Sequence, residues 1–241
     1  MIMSRLFLIR HAQASFLSEN YDQLSDHGID QAKILGESLA SNEFIFDKIY
    51  SGTLNRQQHT REMVEEVYDA QKISFPKVIE EDRFNEYPAE EIMTSLGKYL
   101  VENNDVAANL YKKCNDSTSE TERHHYFQKL FELILESWVN NDTKEVNLSI
   151  SWKDWSNGVR NAIDDIKSQA KSGELIGVFT SGGPIGVSVQ TVLDTPEIKA
   201  AELNWRVYNC SVTKFTFSAE RFSLDQFNDV SYLSPDILTY R

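Results

Sequence analysis

The chain has 241 residues, 41% of them apolar and 25% charged, a composition that suits a folded globular protein and argues against disorder. Its net charge of −13 argues against a nucleic-acid or anionic-membrane surface, since both need a basic footprint. Two cysteines, Cys114 and Cys210, give no disulfide framework. With no apolar run near the roughly 20 residues of a membrane span and no signal-peptide pattern, a cytoplasmic protein is expected.

Leu6-Phe7-Leu8-Ile9 runs without a polar break and leads straight into Arg10-His11. A run without alternation reads as a strand buried on both faces, typical of a central parallel strand. Open parallel sheets bind ligands beyond the carboxyl ends of their strands, where Arg10 and His11 fall. Arginine offers a forked donor for phosphate or carboxylate, and histidine can act as nucleophile or acid/base near neutral pH. Gln13 to Gln23 is a polar loop. Ser25 then caps a helix whose Ile29, Ala32, Leu35, Gly36 and Leu39 share one face. Phe46 to Ser51 reads as a second strand, Gly52-Thr53 as its turn, and Leu54 to Tyr68 as a helix with Met63, Val64 and Val67 inward. Ile73 to Ile79 is a third strand candidate, which Pro76 demotes to an edge or to two short pieces. Strand, helix, strand, helix is the signature of βαβ units.

From about Pro88 to Ile150 the strand signals disappear. Glu90 to Leu100, Val106 to Lys113 and Glu120 to Val139 read as helices, with loops at 103–105 and 140–142. The last carries Phe127, Leu130, Phe131, Ile134, Leu135 and Trp138 on one face, and its aromatics are expected in a core. This stretch is expected to be a helical insertion over the carboxyl ends of the strands, within a single domain of residues 1–241. Trp152 to Ala170 is helical again, with Gly173 as its C′ residue. Leu175 to Thr180 is a second unbroken apolar strand. Ser181-Gly182-Gly183-Pro184 opens a helix over Ile185 to Leu193, and Val212 to Phe217 with Phe222 to Phe227 reads as an antiparallel hairpin at the sheet edge. The fold class is therefore α/β: a mostly parallel central sheet flanked by helices.

Three parallel strands should end near one another, at Arg10-His11, at Ser51-Gly52 and at Ser181-Gly182-Gly183. Arg56, in the first turn of its helix, can reach the shared mouth. Gly182 and Gly183 let backbone N–H groups at a helix N-terminus approach an anion. A strand-end histidine, two arginines and a glycine-rich turn make a phosphate site with a nucleophile at its floor. Ser181-Gly182-Gly183-Pro184-Ile185-Gly186 lacks the first glycine of a dinucleotide fingerprint, so an oxidoreductase reading fails. The other histidines are read as structural (His59), exposed (His27) or on a solvated helix face (His124, His125).

These residues resemble the histidine phosphatase superfamily, also called phosphoglycerate mutase-like. Its Arg-His-Gly opening is similar to Arg10-His11-Ala12, and its Leu-Thr/Ser…Gly…Gln-Ala helix start to Leu24-Ser25, Gly28 and Gln31-Ala32. Its Tyr-Ser-Ser-x-Leu-x-Arg-Ala-x-Gln-Thr segment resembles Tyr50 to Thr60, its glutamate-bearing segment Phe84-Asn85-Glu86, and its late Asn-x-Ser-Val strand Asn209-Cys210-Ser211-Val212.

The resemblance implies a phosphatase acting on a small phosphorylated substrate and releasing inorganic phosphate, with no cofactor and no metal. His11 would carry a phosphohistidine, Glu86 would act as acid and base, and Arg10, Arg56, Ser181 and Gly182 would bind the phosphoryl group. The family's second histidine, which precedes the late Gly-Gly, is replaced by Ser181. That change implies a slower enzyme, and Ser181→His would then match or exceed the natural protein. It also motivates the alternative, a phosphate-binding or interaction module with little or no catalysis.

Overall fold

The computed structural model describes residues 3–15, 22–141 and 145–240. Residues 16–21 of the polar loop and Asp142 of the second predicted loop lie outside the described residues. The chain forms two compact units, Met1–Glu86 with Gly158–Arg241, and Tyr87–Asn157.

In chain order the first unit begins with β1 (Ser4–Arg10), α1 (Asp26–Ser41), β2 (Lys48–Ser51), α2 (Asn55–Ala70) and β3 (Val78–Glu80). The second unit holds α3 (Ala89–Glu91), a π-helical stretch Ile92–Gly97, α4 (Lys98–Asn103), α5 (Asp105–Asp116) and α6 (Glu120–Asn140). Helix α7 (Trp152–Gln169) begins in the second unit's residues and ends in the first's. Then follow β4 (Leu175–Thr180), α8 (Gly182–Leu193), α9 (Ile198–Asn204), β5 (Val212–Phe217) and β6 (Phe222–Asp229).

One six-stranded sheet runs in the order β3-β2-β4-β1-β5-β6. β1, β2, β3 and β4 pair in parallel, and β5 and β6 add antiparallel strands on one side. The two unbroken apolar runs, β1 and β4, lie side by side in the middle, where helices cover both faces of a parallel sheet. Leu6, Leu8, Ile9, Ile176, Val178 and Phe179 are fully buried. β3 is the edge strand that Pro76 implied, shortened to three residues.

α1 starts as its sequence demands. The Ser25 hydroxyl accepts from the Gly28 N–H at 3.0 Å, and Leu35, Leu39 and Ala32 bury the expected face. Gly28 is needed because a Cβ there would stand 2.1 Å from the Gln13 carbonyl oxygen.

Several elements differ from the sequence reading. α8 begins at Gly182 rather than Ile185, because Pro184 sits in its first turn, where no N–H is required. Gly173 lies beyond the end of α7 and, with φ of 86°, makes the turn into β4 instead of a helix C′. The short α9 carries too few residues to give a periodic signal in the sequence.

In the second unit, α6 buries Leu130, Ile134, Leu135 and Trp138. Tyr87, Trp138, Trp152 and Trp155 form an aromatic cluster, with centroids 5.3 Å apart for Trp138–Trp152 and 5.4 Å for Tyr87–Trp155. Phe127 departs from the expected core position: it is exposed and stacked on Phe131. Among the described residues, no helix is long and apolar enough to cross a membrane.

Candidate active site

Sheet register brings the predicted strand ends together. Arg10, the last residue of β1, pairs with Thr180, the last of β4, while Ser51 of β2 pairs with Phe179. The ladder continues one residue further on each side. The His11 N–H donates to the Thr180 carbonyl at 2.9 Å, and the Gly52 N–H to the Phe179 carbonyl at 3.0 Å.

His11 is fixed at both ends of its residue. Its carbonyl accepts from the Asn209 side-chain amide at 3.1 Å and from the Cys210 N–H at 3.3 Å. Cys210 holds a φ of 57°, an unfavourable left-handed conformation for a residue with a Cβ, costing roughly 1–3 kcal/mol. Its carbonyl accepts the Tyr232 hydroxyl. The strain buys the turn that aims both donors at His11.

The imidazole is buried. Its Nδ1 lies 2.8 Å from the Ala12 carbonyl and its Nε2 3.2 Å from the Arg56 Nε–H. A carbonyl only accepts and a guanidinium only donates, so both contacts are satisfied by the neutral tautomer protonated at Nδ1. The lone pair is then on Nε2. Burial, then the Arg56 and Arg10 charges, hold the pKa well below the ordinary imidazole value; the Ala12 contact opposes them weakly. His11 is thus neutral at neutral pH, with its lone pair on Nε2.

Ala12 stands where the family motif has glycine. It is absent from the positive-φ residues, so a side chain costs nothing there. Its N–H donates to Thr60 Oγ1 at 2.9 Å, and that hydroxyl donates to the Arg56 carbonyl at 2.7 Å. Thr60 therefore ties the loop after β1 to the first turn of α2.

Arg56 reaches His11 from that first turn. Its Nη1 also pairs with Asp22 Oδ1 at 2.6 Å, and the Asp22 carboxylate caps α2 by accepting from the Asn55 N–H at 2.7 Å. Arg10 is buried at the end of β1, and its Nη1 donates to the Val207 carbonyl.

Glu86 accepts from the Gly183 N–H at 3.1 Å, at the N-terminus of α8. That is where an anion is favoured, by unsatisfied N–H groups and the helix dipole together. The N–H seen donating is Gly183's. Gly182 has a packing reason to be glycine: a Cβ there would lie 2.0 Å from Asn204 Oδ1 of α9. Ser181, fully buried, leaves its own helix uncapped and turns its hydroxyl to the Gln57 amide, which donates to it at 2.8 Å.

The structure thus joins Arg10, His11 and Arg56 through direct contacts and adjacent backbone, and places Glu86 and Ser181 around the start of α8. His27 differs from the exposed position expected for it. It is half-buried and its Nε2 lies 3.1 Å from the Ile237 carbonyl. His124 and His125 are exposed on α6.

Sequence reasoning missed Asp22, Gln57 and the positioning part of Asn209. Only Gln57 had a local signal: the motif carries Ala at its position. Among the described residues, no cluster of three or more His, Cys, Asp or Glu side chains could hold a metal ion.

A family model described as "Histidine phosphatase superfamily (branch 1)" matches residues 6–96 and 114–230. Solved structures share the fold at low identity. A phosphoglycerate mutase from Bacillus anthracis is 19% identical with a TM-score of 0.61, over 96% of this chain and 95% of that one. A phosphoserine phosphatase mutant from Entamoeba histolytica, in complex with phosphoserine, is 20% identical with a TM-score of 0.60, over 96% of this chain and 100% of that one. A mycobacterial glucosyl-3-phosphoglycerate phosphatase with inorganic phosphate is 17% identical with a TM-score of 0.58, over 95% and 99%.

Proposed function

Because this chain belongs to the histidine phosphatase superfamily, we propose that it is a phosphomonoesterase acting through a phosphohistidine on His11. The observation that carries the proposal is the state of His11 itself: neutral, protonated on Nδ1, with its Nε2 lone pair beside the Arg56 guanidinium.

The steps follow from the groups present. Nε2 of His11 attacks phosphorus as the bond to the leaving oxygen breaks, and Glu86 delivers a proton to that oxygen. The Nδ1–H keeps donating to the Ala12 carbonyl, which helps the imidazole carry positive charge. Arg10, Arg56 and the start of α8 at Gly182-Gly183 stabilise the equatorial oxygens, whose charge is redistributed in the transition state. Ser181 adds a neutral hydrogen bond. Water activated by Glu86 then attacks the phosphohistidine and releases inorganic phosphate, restoring neutral His11 and protonated Glu86. Arg56 has to turn from His11 toward the phosphoryl oxygens as substrate enters, while Asp22 keeps its other nitrogen in place.

The substrate class is a small phosphorylated metabolite, handled in the cytoplasm without metal or cofactor, nucleic acid or membrane. Residues 1–241 act as one histidine-phosphatase-like domain, with the helices of about 88–150 as an insertion in its sequence. A mutase would in addition need the substrate retained for retransfer. Ser181 favours the second reading, a phosphate-binding module with little turnover, because a hydroxyl cannot supply the charge of an imidazolium.

Hydrolysis of p-nitrophenyl phosphate by the natural protein and by His11→Ala separates the two. The proposal expects turnover that His11→Ala abolishes. Phosphate binding without turnover in the natural protein would favour the binding module.

A further inference from the structure

Gln57 is fully buried, and every polar group of its amide is engaged. Its Oε1 accepts from the Leu54 N–H at 3.3 Å, and its Nε2 donates to the Phe84 carbonyl at 3.0 Å and to Ser181 Oγ at 2.8 Å. The room for this amide comes from two neighbours. A Cβ on Gly52 would lie 2.0 Å from Gln57 Oε1 and 2.7 Å from its Cδ. Ser181 is small on the other side. At these three places the family motif has Ala for Gln57, Ser for Gly52 and His for Ser181. The three departures therefore meet in one contact set: two side chains shrink and the one between them grows.

We propose that Gln57 is a positioning residue that replaces the missing histidine indirectly, by holding the Ser181 hydroxyl as a donor to the phosphoryl group. A hydroxyl has one proton and two lone pairs. Gln57 Nε2 takes a lone pair, so the Ser181 proton must point away from Gln57. Among the described residues that hydroxyl donates to none. Ser181 stands at the end of β4, one residue after the carbonyl that takes the His11 N–H, and at the start of α8, so the acceptor the proposal assigns to its proton is a phosphoryl oxygen held at His11. Gly52, Gln57 and Ser181 thus form a compensated set, and exchanging one alone breaks it. Ser181→His by itself would drive an imidazole into the Gln57 amide. This replaces the expectation, drawn from the motif alone, that restoring the histidine is enough.

The inference rests on the phosphoryl-transfer reading, so its test has two readouts: kcat and KM on p-nitrophenyl phosphate, and the affinity for orthovanadate. Gln57→Ala, Ser181→Ala and their double variant are compared with Ser181→His, with and without Gln57→Ala. Folding is expected to survive, since the Phe84 carbonyl keeps a second donor in Thr180 Oγ1 at 2.7 Å, and thermal unfolding checks it.

The inference expects Gln57→Ala and Ser181→Ala each to lose about tenfold in kcat, the size of one neutral hydrogen bond, with the double variant no worse than either. It expects Ser181→His to fall below the natural protein and to recover when Gln57→Ala is added. A Gln57→Ala variant with unchanged kcat would overturn it. Multiplying losses in the double variant, or Ser181→His indifferent to residue 57, would do the same. If nothing turns over, the esterase reading fails and vanadate decides: the same non-additive pattern in affinity keeps the positioning role, whereas equal affinity, or no binding by any member, removes it.

Discussion

Replacing Arg56 by lysine isolates the guanidinium fork from the charge. In the structure Arg56 places Nε on His11 and Nη1 on Asp22, so its planar group is already oriented at the proposed nucleophile. A lysine keeps the positive charge but presents one point donor, and it cannot bridge Asp22 and a phosphoryl oxygen in one plane. Losing one charge-assisted hydrogen bond in the transition state costs about 1.5–3 kcal/mol. At about 1.4 kcal/mol per decade, that is roughly a 10- to 150-fold fall in kcat/KM. The ground state suffers much less. The Asp22 carboxylate is 27% exposed, so the lost ion pair is screened and worth less than about 1 kcal/mol. Thermal unfolding should therefore shift by no more than about 4 °C. Steady-state kinetics on p-nitrophenyl phosphate and a melting curve on the same preparation make the assay. An unchanged kcat/KM would show that Arg56 does not serve the phosphoryl group. A large fall in melting temperature accompanying the rate loss would assign Arg56 to the scaffold instead.

Four further outcomes are expected. Because burial and the two arginines depress the His11 pKa, the acid limb of kcat/KM should lie below the ordinary imidazole value, and Arg56→Ala should move the limb upward; a limb at or above that value in the natural protein contradicts the site. The same depression makes stability fall with pH below about 6.5, where the unfolded chain binds a proton that folded His11 refuses; equilibrium unfolding of the natural protein against His11→Ala, which should lack this term, reads it. Thr60→Val removes the acceptor of the Ala12 N–H and should cost about 1–3 kcal/mol in denaturant unfolding, and kcat should fall with it as the His11 loop loosens. Trp138→Ala should cost about 3–5 kcal/mol in the stability of residues 87–157, read by local hydrogen exchange, because it empties the centre of the aromatic cluster.

What could be read from the sequence was whatever leaves a periodic or compositional trace. β1 and β4 are unbroken apolar runs because both of their faces are covered, and the residues that follow them had to emerge at one edge. That alone placed Arg10, His11 and Ser181 in one neighbourhood, and Ser25 announced the start of α1 through its capping hydroxyl. The contacts that tune the site left no such trace. Asp22 reaches Arg56 across 34 residues, Gln57 reaches Ser181 across 124, and Asn209 reaches His11 across 198. Hydrogen bonds of that span follow from how the strands stack, not from spacing along the chain. The strained φ of Cys210 is equally silent, since cysteine has no preference that would betray it. Phe127 shows the converse limit. An amphipathic pattern says which face of a helix is apolar, but not where the covering partner ends. Gly182 is instructive too, because a glycine read as an anion contact is required by the approach of Asn204.

The central claim is that His11 itself accepts the phosphoryl group. Rapid mixing of enzyme with p-nitrophenyl phosphate, an alkaline quench that preserves phosphohistidine, and mass analysis of the intact chain and its peptides test this directly. The predicted result is a transient species heavier by one phosphoryl group, mapped to the peptide containing His11 and absent from His11→Ala. Turnover with no such species in the burst phase, or a phosphoryl adduct on any other residue, would contradict it.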